Sequence, residues 1–302
     1  MEKERYKHLN TYLKEKFGER TLKICVDGNF TCPNRDGTKG TNGCIFCSER
    51  GSGDHLNKIG VSEQVKNHLN SYRGLRANKF IVYFQNFTNT YDTLENLKYK
   101  YDSALIDDRI VGLQIATRPD CIDDNIAKLL NTYKMKYYVC VELGLQTSND
   151  KTGILINRQY TTNDFINAVK ILNKYNIDIV AHIMIGLPNE TLKDLENTIN
   201  FLNSQNIQGI KIHSTYITKN TQLNKMYKDK QYIPLTLENY LEYLVFAITH
   251  LNPNFVVHRI SGDAPKELLV APSWNTHKKL VLNGLDKLLK EKNLYQGIYF
   301  KK

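Results

Sequence analysis

Long apolar runs are absent from this chain of 302 residues. No stretch approaches the roughly 18 uncharged apolar residues of a transmembrane helix, so none is predicted. The first twenty residues, MEKERYKHLNTYLKEKFGER, are charged and lack the apolar segment of a secretory signal. We therefore expect a cytoplasmic protein.

Cysteine is scarce, with six residues in the chain, yet three of them lie in the short segment FTCPNRDGTKGTNGCIFCSER. Cys32, Cys44 and Cys47 have the spacing C-x11-C-x2-C. Disulfides are uncommon in the cytoplasm, so clustered thiols indicate metal ligands or redox groups. A structural zinc ion normally takes four protein ligands, and Cys25 or His55 could supply the fourth. An iron–sulfur cluster on three cysteines instead leaves one iron open to a substrate or cofactor. The spacing alone leaves both alternatives open.

Acidic residues are outnumbered, with 31 Asp and Glu against 41 Lys and Arg and a net charge of +10. Such an excess favours polyanions, chiefly nucleic acids, whose phosphates the basic side chains neutralise. A lysine-rich, well-solvated surface is an equal alternative. No block of like charge stands out, so the pattern does not indicate a separate basic tail.

Short apolar runs alternate with amphipathic stretches in six strand–helix units, from TLKICVDGNF to QGIKIHSTYI. This order predicts parallel strands with right-handed crossovers and helices on the sheet. No G-x-G-x-x-G follows the first strand, so a dinucleotide site of that type has no support. We expect an α/β fold, a partial (β/α)6 TIM-like barrel rather than an open doubly wound sheet. In such barrels the functional residues lie at the carboxyl ends of the strands.

The pattern changes after about residue 218. A polar, lysine-bearing connection precedes the amphipathic helix LENYLEYLVFAITHL, a candidate last strand in FVVHRISGD and a basic helix in NTHKKLVLNGLDKLLKEKN. We predict a core domain over residues 16–254 and a short C-terminal α/β extension, residues 255–302, packed on the barrel.

The cysteine loop lies between the first strand and the first helix of the series, and it resembles the cluster loop of the radical S-adenosylmethionine (SAM) superfamily. Its long first gap departs from the commonest C-x3-C-x2-C and is similar to the gaps of the Elp3-like branch and the YhcC/YtqA-like family. Seven further motifs occur in the order expected for the latter family: GSGD, IATRPDC, VELGLQT, INRQYT, IGLPNET, VHRISGDAP and APSW. Together they cover nearly the whole chain, which is identified as a member of the YhcC/YtqA-like family and matches its YtqA-like (MnmL) branch best.

The resemblance implies a [4Fe–4S] cluster on Cys32, Cys44 and Cys47, with SAM chelated at the open iron. It also implies a low-potential electron donor of the flavodoxin or ferredoxin type, and a 5′-deoxyadenosyl radical that abstracts hydrogen from the substrate. For the YtqA-like branch the implied substrate is tRNA, whose wobble uridine is converted from the 5-carboxymethylaminomethyl to the 5-aminomethyl form. A radical reaction on another RNA, a peptide or a metabolite is one alternative. A non-catalytic, zinc-stabilised RNA-binding protein is the other.

By the same resemblance, six residues are expected to contact SAM: Gln85, Thr117, Glu142, Gln146, Arg158 and His182. Gln85 ends the second strand, where related enzymes hold the methionine amino group, and Thr117 follows the third. Gln146 matches a ribose contact, and Arg158 a contact to the methionine carboxylate. For Gln85 and Thr117, capping of a strand end is an equal alternative.

Glu142 lies in an otherwise apolar strand, where an unpaired buried carboxylate is costly. It is expected to bind ribose hydroxyls or a cationic partner, and an ion pair with Arg158 is the structural alternative. His182, on the fifth strand, takes a position that is polar in relatives, although a satisfied interior histidine fits equally well. His258 and Arg259 either line the substrate entrance or belong to a turn.

Overall fold

The computed structural model describes residues 4–51 and 53–301, so Ser52 of the GSGD motif lies outside the described residues. Nine strands are described: β1 (Thr21–Val26), β2 (Lys79–Phe84), β3 (Ile110–Thr117), β4 (Tyr138–Gln146), β5 (Asp178–Ile185), β6 (Gly209–Ser214), β7 (Ile217–Thr218), β8 (Val256–Arg259) and β9 (Leu269–Ala271). Seven form one parallel sheet in the order β1-β2-β3-β4-β5-β6-β8. Because each strand lies beside its predecessor, the sheet winds in one direction and curls into a half-barrel, as predicted. The order of a doubly wound sheet would reverse.

Ten helices are described: α1 (Leu9–Phe17), α2 (Val61–Leu69), α3 (Leu94–Asp102), α4 (Asp124–Lys134), α5 (Asp150–Leu155), α6 (Thr162–Lys174), α7 (Leu192–Asn203), α8 (Gln222–Lys228), α9 (Leu237–His250) and α10 (Lys278–Glu291). Polar side chains fix where several of them begin. Asp123 accepts a hydrogen bond from the backbone N–H of Ile126 at the start of α4, and Thr161 forms a capping box with Asp164 at the start of α6. Such caps satisfy backbone donors that have no partner inside the helix. None of the helices in the described ranges is long and apolar enough to cross a membrane.

The two faces of the sheet differ in chemistry. One face packs against the crossover helices and supplies fully buried apolar residues such as Ile24, Phe84 and Ile212. The other face lines the barrel interior and is polar. All seven strands of the sheet place a polar side chain there: Lys23, Tyr83, Gln114, Glu142, His182, Lys211 and His258. Side chains on strands that are not neighbours meet inside the barrel, as Lys23 on β1 meets Glu142 on β4 at 3.2 Å.

The C-terminal part of the chain completes the sheet. The predicted last strand is β8, which pairs in parallel with β6. The polar connection after residue 218 contains α8, and β7 pairs antiparallel with β9; neither feature was predicted. Trp274 packs on Tyr240 of α9, with ring centroids 5.0 Å apart, and donates a hydrogen bond to the Leu235 carbonyl. The division into domains at residue 254 stays a prediction.

Candidate functional site

A cavity opens at the carboxyl ends of the strands, between the cysteine loop and the barrel interior. Cys32, Cys44 and Cys47 all line it. The loop that carries them follows β1, so the strand places three thiols at the mouth of the barrel. This is where the barrel fold predicts functional residues.

The cysteine loop is held by its own hydrogen bonds. The guanidinium of Arg35 donates to the carbonyl oxygens of Cys47, at 3.0 Å, and Ser48, at 2.6 Å. The Asn34 side chain donates to the Asn157 carbonyl at 2.6 Å, and the Asn157 side chain donates to the Gly43 carbonyl at 2.7 Å. These bonds join the loop to the segment after α5, so its shape depends on contacts far apart in the sequence.

Burial and nearby cations act in opposite directions on the thiols. Burial raises the pKa of Cys44 to about 12, and the positive charge of Arg118 opposes that rise. Burial also raises the pKa of Cys47, against the charge and hydrogen bond of Arg35. Metal ligands must be thiolates, so Arg35 and Arg118 favour the form that binds metal.

The donor set distinguishes between the two kinds of metal site. Within residues 4–51 and 53–301, no three or more His, Cys, Asp or Glu side chains are grouped so that they could hold a metal ion. Zinc needs its donors within roughly 2.0–2.3 Å of one centre. The cysteines of an iron–sulfur cluster bind different irons and stand farther apart. The cavity is lined by three thiols, one fewer than the four protein ligands that a structural zinc ion normally takes, whereas three thiolates suffice for a cluster that keeps one iron open.

Buried polar atoms without a hydrogen-bond partner also border the cavity. They include Thr88 Oγ1, Thr218 Oγ1 and His213 Nε2. Buried polar groups in folded proteins are nearly always hydrogen-bonded, so these atoms indicate a site built for a polar ligand.

Five of the six predicted SAM contacts line this cavity: Gln85, Thr117, Glu142, Gln146 and His182. Thr117 shares a hydrogen bond with Thr90 at 2.6 Å. Gln146 has a φ of 61° and accepts a hydrogen bond from the Tyr160 hydroxyl at 2.6 Å. The fold therefore brings these residues to one place from separate strands.

Arg158 is the exception, since it is fully buried and is not among the residues that line the cavity. Its guanidinium donates to the backbone carbonyls of Thr147, at 2.8 Å, and Tyr160, at 3.0 Å, and pairs with Asp150 at 2.7 Å. Arg158 thus fastens the segment that follows β4. The ion pair between Arg158 and Glu142, the structural alternative, is not formed, because each residue pairs with other partners.

Arg118 is a cavity residue that the sequence did not single out. It follows β3 in the IATRPDC motif, binds the Asp120 carboxylate through two nitrogens at 2.8 and 2.9 Å, and lies 4.7 Å from the Tyr160 ring centroid. Its position directly after a strand, before Pro-Asp, was the available signal.

A buried ionic network lies in the barrel interior, on the strands that lead to the cavity. The Glu142 carboxylate is fully buried and contacts Lys211 Nζ at 2.7 Å, Lys23 Nζ at 3.2 Å and His182 Nε2 at 2.6 Å. Burial disfavours the charge on Glu142, but Lys211, Lys23 and His182 outweigh it and hold the pKa of the carboxyl well below its usual range. Glu142 therefore has cationic partners, one of the two roles expected for it.

Burial also sets the charges of the other members of the network. It lowers the pKa of His182 and His258 to about 4, with Glu142 opposing the change in both. It lowers the pKa of Lys211 to about 8, again against the charge of Glu142. Near neutral pH the two histidines are uncharged, whereas Lys211 is a cation.

The chain matches two family descriptions: the Radical SAM superfamily over residues 36–202 and the Radical SAM C-terminal domain over residues 207–291. It is 38% identical to the YtqA protein of Bacillus subtilis (strain 168), with 99% of this chain and 94% of that protein aligned. It is 32% identical to the YhcC protein of Escherichia coli (strain K12), with 92% and 90% aligned.

Two further similarities cover a smaller share of the other protein. A tRNA uridine(34) acetyltransferase of Dehalococcoides mccartyi (strain CBDB1) is 29% identical over 54% of this chain and 36% of its own length. The solved structure of Elp3 from Methanocaldococcus infernus, lacking its N-terminus, superposes with a TM-score of 0.72 at 17% identity, covering 91% of this chain and 64% of that one. The latter likeness confirms the fold.

The extent of these matches, from the cysteine loop to α10, settles the family and with it an iron–sulfur cluster and SAM as the implied cofactors. The chain belongs to the radical SAM superfamily.

Proposed function

We propose that this chain is a tRNA-modifying enzyme that cleaves SAM reductively and acts on the wobble uridine. The observation that carries the proposal is the set of three thiols, Cys32, Cys44 and Cys47, around one cavity at the barrel mouth. Three cysteine ligands leave one iron of a [4Fe–4S] cluster for SAM. When bound, cluster and SAM supply a 5′-deoxyadenosyl radical that takes hydrogen from the substrate.

The residues that line the cavity would bind and orient SAM. Gln85 would face the methionine amino group, and Gln146 the ribose. Arg118 lines the cavity and Arg158 does not, so Arg118 is the arginine that the methionine carboxylate would meet. The Arg118 guanidinium already binds the Asp120 carboxylate and the Arg158 carbonyl, so it would act on the methionine carboxylate through its positive charge and not as a free planar fork. Thr117 and His182 would add polar contacts.

Charge and similarity favour tRNA as the substrate. The net charge of +10 favours a polyanion. One relative carries the name tRNA uridine(34) acetyltransferase, although it aligns with only 54% of this chain. A single base turned out of an anticodon loop is the part of an RNA that can enter an enclosed cavity. The proposed reaction converts 5-carboxymethylaminomethyluridine to 5-aminomethyluridine. The methylene between the amine and the carboxylate would lose a hydrogen atom and then an electron, and hydrolysis of the resulting imine would release the amine and the two removed carbons as glyoxylate. SAM, converted to methionine and 5′-deoxyadenosine, would be the net oxidant.

Anaerobic purification tests the cofactors. We expect a brown protein with about four irons per chain, and release of 5′-deoxyadenosine when dithionite and SAM are added. A low-potential flavodoxin or ferredoxin would replace dithionite in the cell. A colourless protein with one zinc would instead support the RNA-binding alternative.

Mass spectrometry of tRNA nucleosides tests the substrate. We expect 5-carboxymethylaminomethyluridine to accumulate in deletion cells, and 5-aminomethyluridine and nucleosides made from it to fall. A plasmid with the wild-type gene should restore the profile, whereas a Cys44→Ala plasmid should not. Unchanged wobble nucleosides in cells that lack the gene, with normal SAM cleavage by the purified protein, would mean a radical enzyme with another substrate.

A further inference from the structure

The barrel interior contains more positive than negative charge. Two ammonium groups, Lys23 and Lys211, share the single carboxylate of Glu142. The neighbouring histidines, His182 and His258, carry no charge at pH 7, because burial lowers their pKa to about 4. Both lysines contact Glu142, but one carboxylate balances only one of the two positive charges, so the cavity beside the buried Lys211 favours an anionic group of a ligand.

Lys211 has a donor left for such a ligand. Its side chain is 7% exposed and lines the cavity. An ammonium has three N–H donors. Two reach the Tyr83 hydroxyl at 2.8 Å and Glu142 Oε2 at 2.7 Å. The third has no hydrogen-bond partner within residues 4–51 and 53–301.

Two more groups flank Lys211 on the same wall. Arg259 is its partner in the register of β6 and β8, lines the cavity, and pairs with Asp263, whose side chain is 50% exposed. His213 lies two residues after Lys211 on β6, so both side chains point to the same face. The buried His213 Nε2 has no partner and can donate one hydrogen bond.

Two molecules can bring a carboxylate into this cavity: SAM, through its methionine part, and the substrate. The cations that act on the thiols are Arg118 on Cys44 and Arg35 on Cys47. Those two arginines therefore lie on the side where SAM would bind at the iron. Lys211 and Arg259 belong to β6 and β8, and they are not the leading cations at Cys44 or Cys47. Their wall is therefore left for the substrate.

We propose that Lys211, Arg259 and His213 form the binding site for a carboxylate of the substrate. This inference rests on the proposed function, whose substrate group ends in a carboxymethyl carboxylate. Bound on the β6–β8 wall, that carboxylate would fix the adjacent methylene in the cavity. The site would also reject wobble uridines that carry the amine but lack the acid.

Binding of two RNAs tests the site. The probes are anticodon stem-loops with 5-carboxymethylaminomethyluridine or 5-methylaminomethyluridine at the wobble position, which differ only by the carboxylate. Their Kd values are measured anaerobically by fluorescence anisotropy with cluster-loaded wild-type protein and with K211M, R259Q and K193M. Lys193 is an exposed α7 residue and gives a matched lysine-to-methionine control. Calorimetry gives the Kd of SAM for each protein.

We expect wild type and K193M to bind the carboxylate RNA about tenfold more tightly, or better, because a hydrogen bond to a charged group contributes that much affinity. K211M and R259Q should each reduce that preference to about threefold or less, with the Kd values of SAM and of the methylaminomethyl RNA unchanged. R259Q changes a partly exposed side chain, so it tests the site even if K211M does not fold. Equal binding of both RNAs by wild type, or an intact preference in R259Q, would overturn the inference.

Two other results separate the inference from the proposed function. A variant that loses SAM affinity but keeps the RNA preference would assign the wall to the methionine carboxylate and overturn the substrate site. A wild-type protein that prefers the carboxylate RNA through Lys211 and Arg259 but does not convert it would support the site while refuting the proposed reaction.

Discussion

Lys211 and Glu142 meet inside the barrel, 2.7 Å apart, although their strands β6 and β4 are separated by β5. The contact crosses β5, and the curl of the sheet brings such inward side chains of non-adjacent strands together. An ion pair at this depth loses hydration on both sides and depends on good geometry and additional partners. Glu142 has those partners in Lys23 and His182.

Replacing Glu142 should destabilise the chain strongly. Glu142→Gln leaves two lysines without their counter-ion, and we expect the free energy of unfolding to fall by about 3–5 kcal/mol. Urea unfolding under argon, followed by the fluorescence of Trp274, the chain's single tryptophan, measures it. The double variant Glu142→Gln/Lys211→Met should lose less than the sum of the two single variants, because both remove the same interaction. Strict additivity would contradict the coupling.

Stability should depend on the protonation of Lys211. Burial lowers its pKa from 10.5 to about 8 in the folded chain. Between these values the unfolded chain binds more protons, so this group makes the free energy of unfolding rise with pH. The wild-type value minus that of Lys211→Met should therefore rise between pH 8 and 10.5, at up to about 1.4 kcal/mol per unit. A difference that is flat across this window would show that Lys211 is not desolvated in solution.

The cluster should depend on the loop cysteines alone. Cys44→Ala, purified without oxygen, should lose most of its iron and the visible absorbance of the cluster, because a thiolate ligand is gone. Cys121→Ala provides the control, since Cys121 is partly buried and is not among the cavity-lining residues. Iron analysis and absorption spectra compare the two variants. Equal iron in both would contradict the assignment of the ligands.

Arg118 and Arg158 should differ in what they support. Arg118→Met, compared with wild type at equal iron content, should raise the Kd of SAM by about tenfold or more, since a positive charge beside the methionine carboxylate is lost. Arg158→Met should mainly lower the thermal midpoint, because the carbonyls of Thr147 and Tyr160 lose their buried donor. Anaerobic calorimetry and thermal melts measure the two effects. The reverse pattern would return the methionine carboxylate to Arg158.

Much of the fold could be predicted because the strands are apolar and separated by regular amphipathic helices. Helix α8 was missed because the sequence around residues 219–234 is polar. The short strands β7 and β9 were missed because they stabilise each other only after the chain has folded. Such pairing has no local signature.

The candidate site was predictable where polar residues end strands or interrupt apolar ones. Gln85, Glu142 and Gln146 belong to this group, and all three line the cavity. Lys211 was missed because lysine in a strand is usually solvent-exposed, and nothing in QGIKIHSTYI indicates that a carboxylate on β4 lies opposite. Arg158 was predicted from the resemblance as a contact to the methionine carboxylate, but its partners are Asp150 and backbone carbonyls, which the sequence does not reveal.

The Asn34 side chain donates to the Asn157 carbonyl and the Asn157 side chain donates to the Gly43 carbonyl, across 123 and 114 residues of sequence. On the ribosome, the cysteine loop can make these two bonds only after residue 157 has emerged. The arrangement of Cys44 in this structure is therefore reached only once about half of the 302 residues have been synthesised.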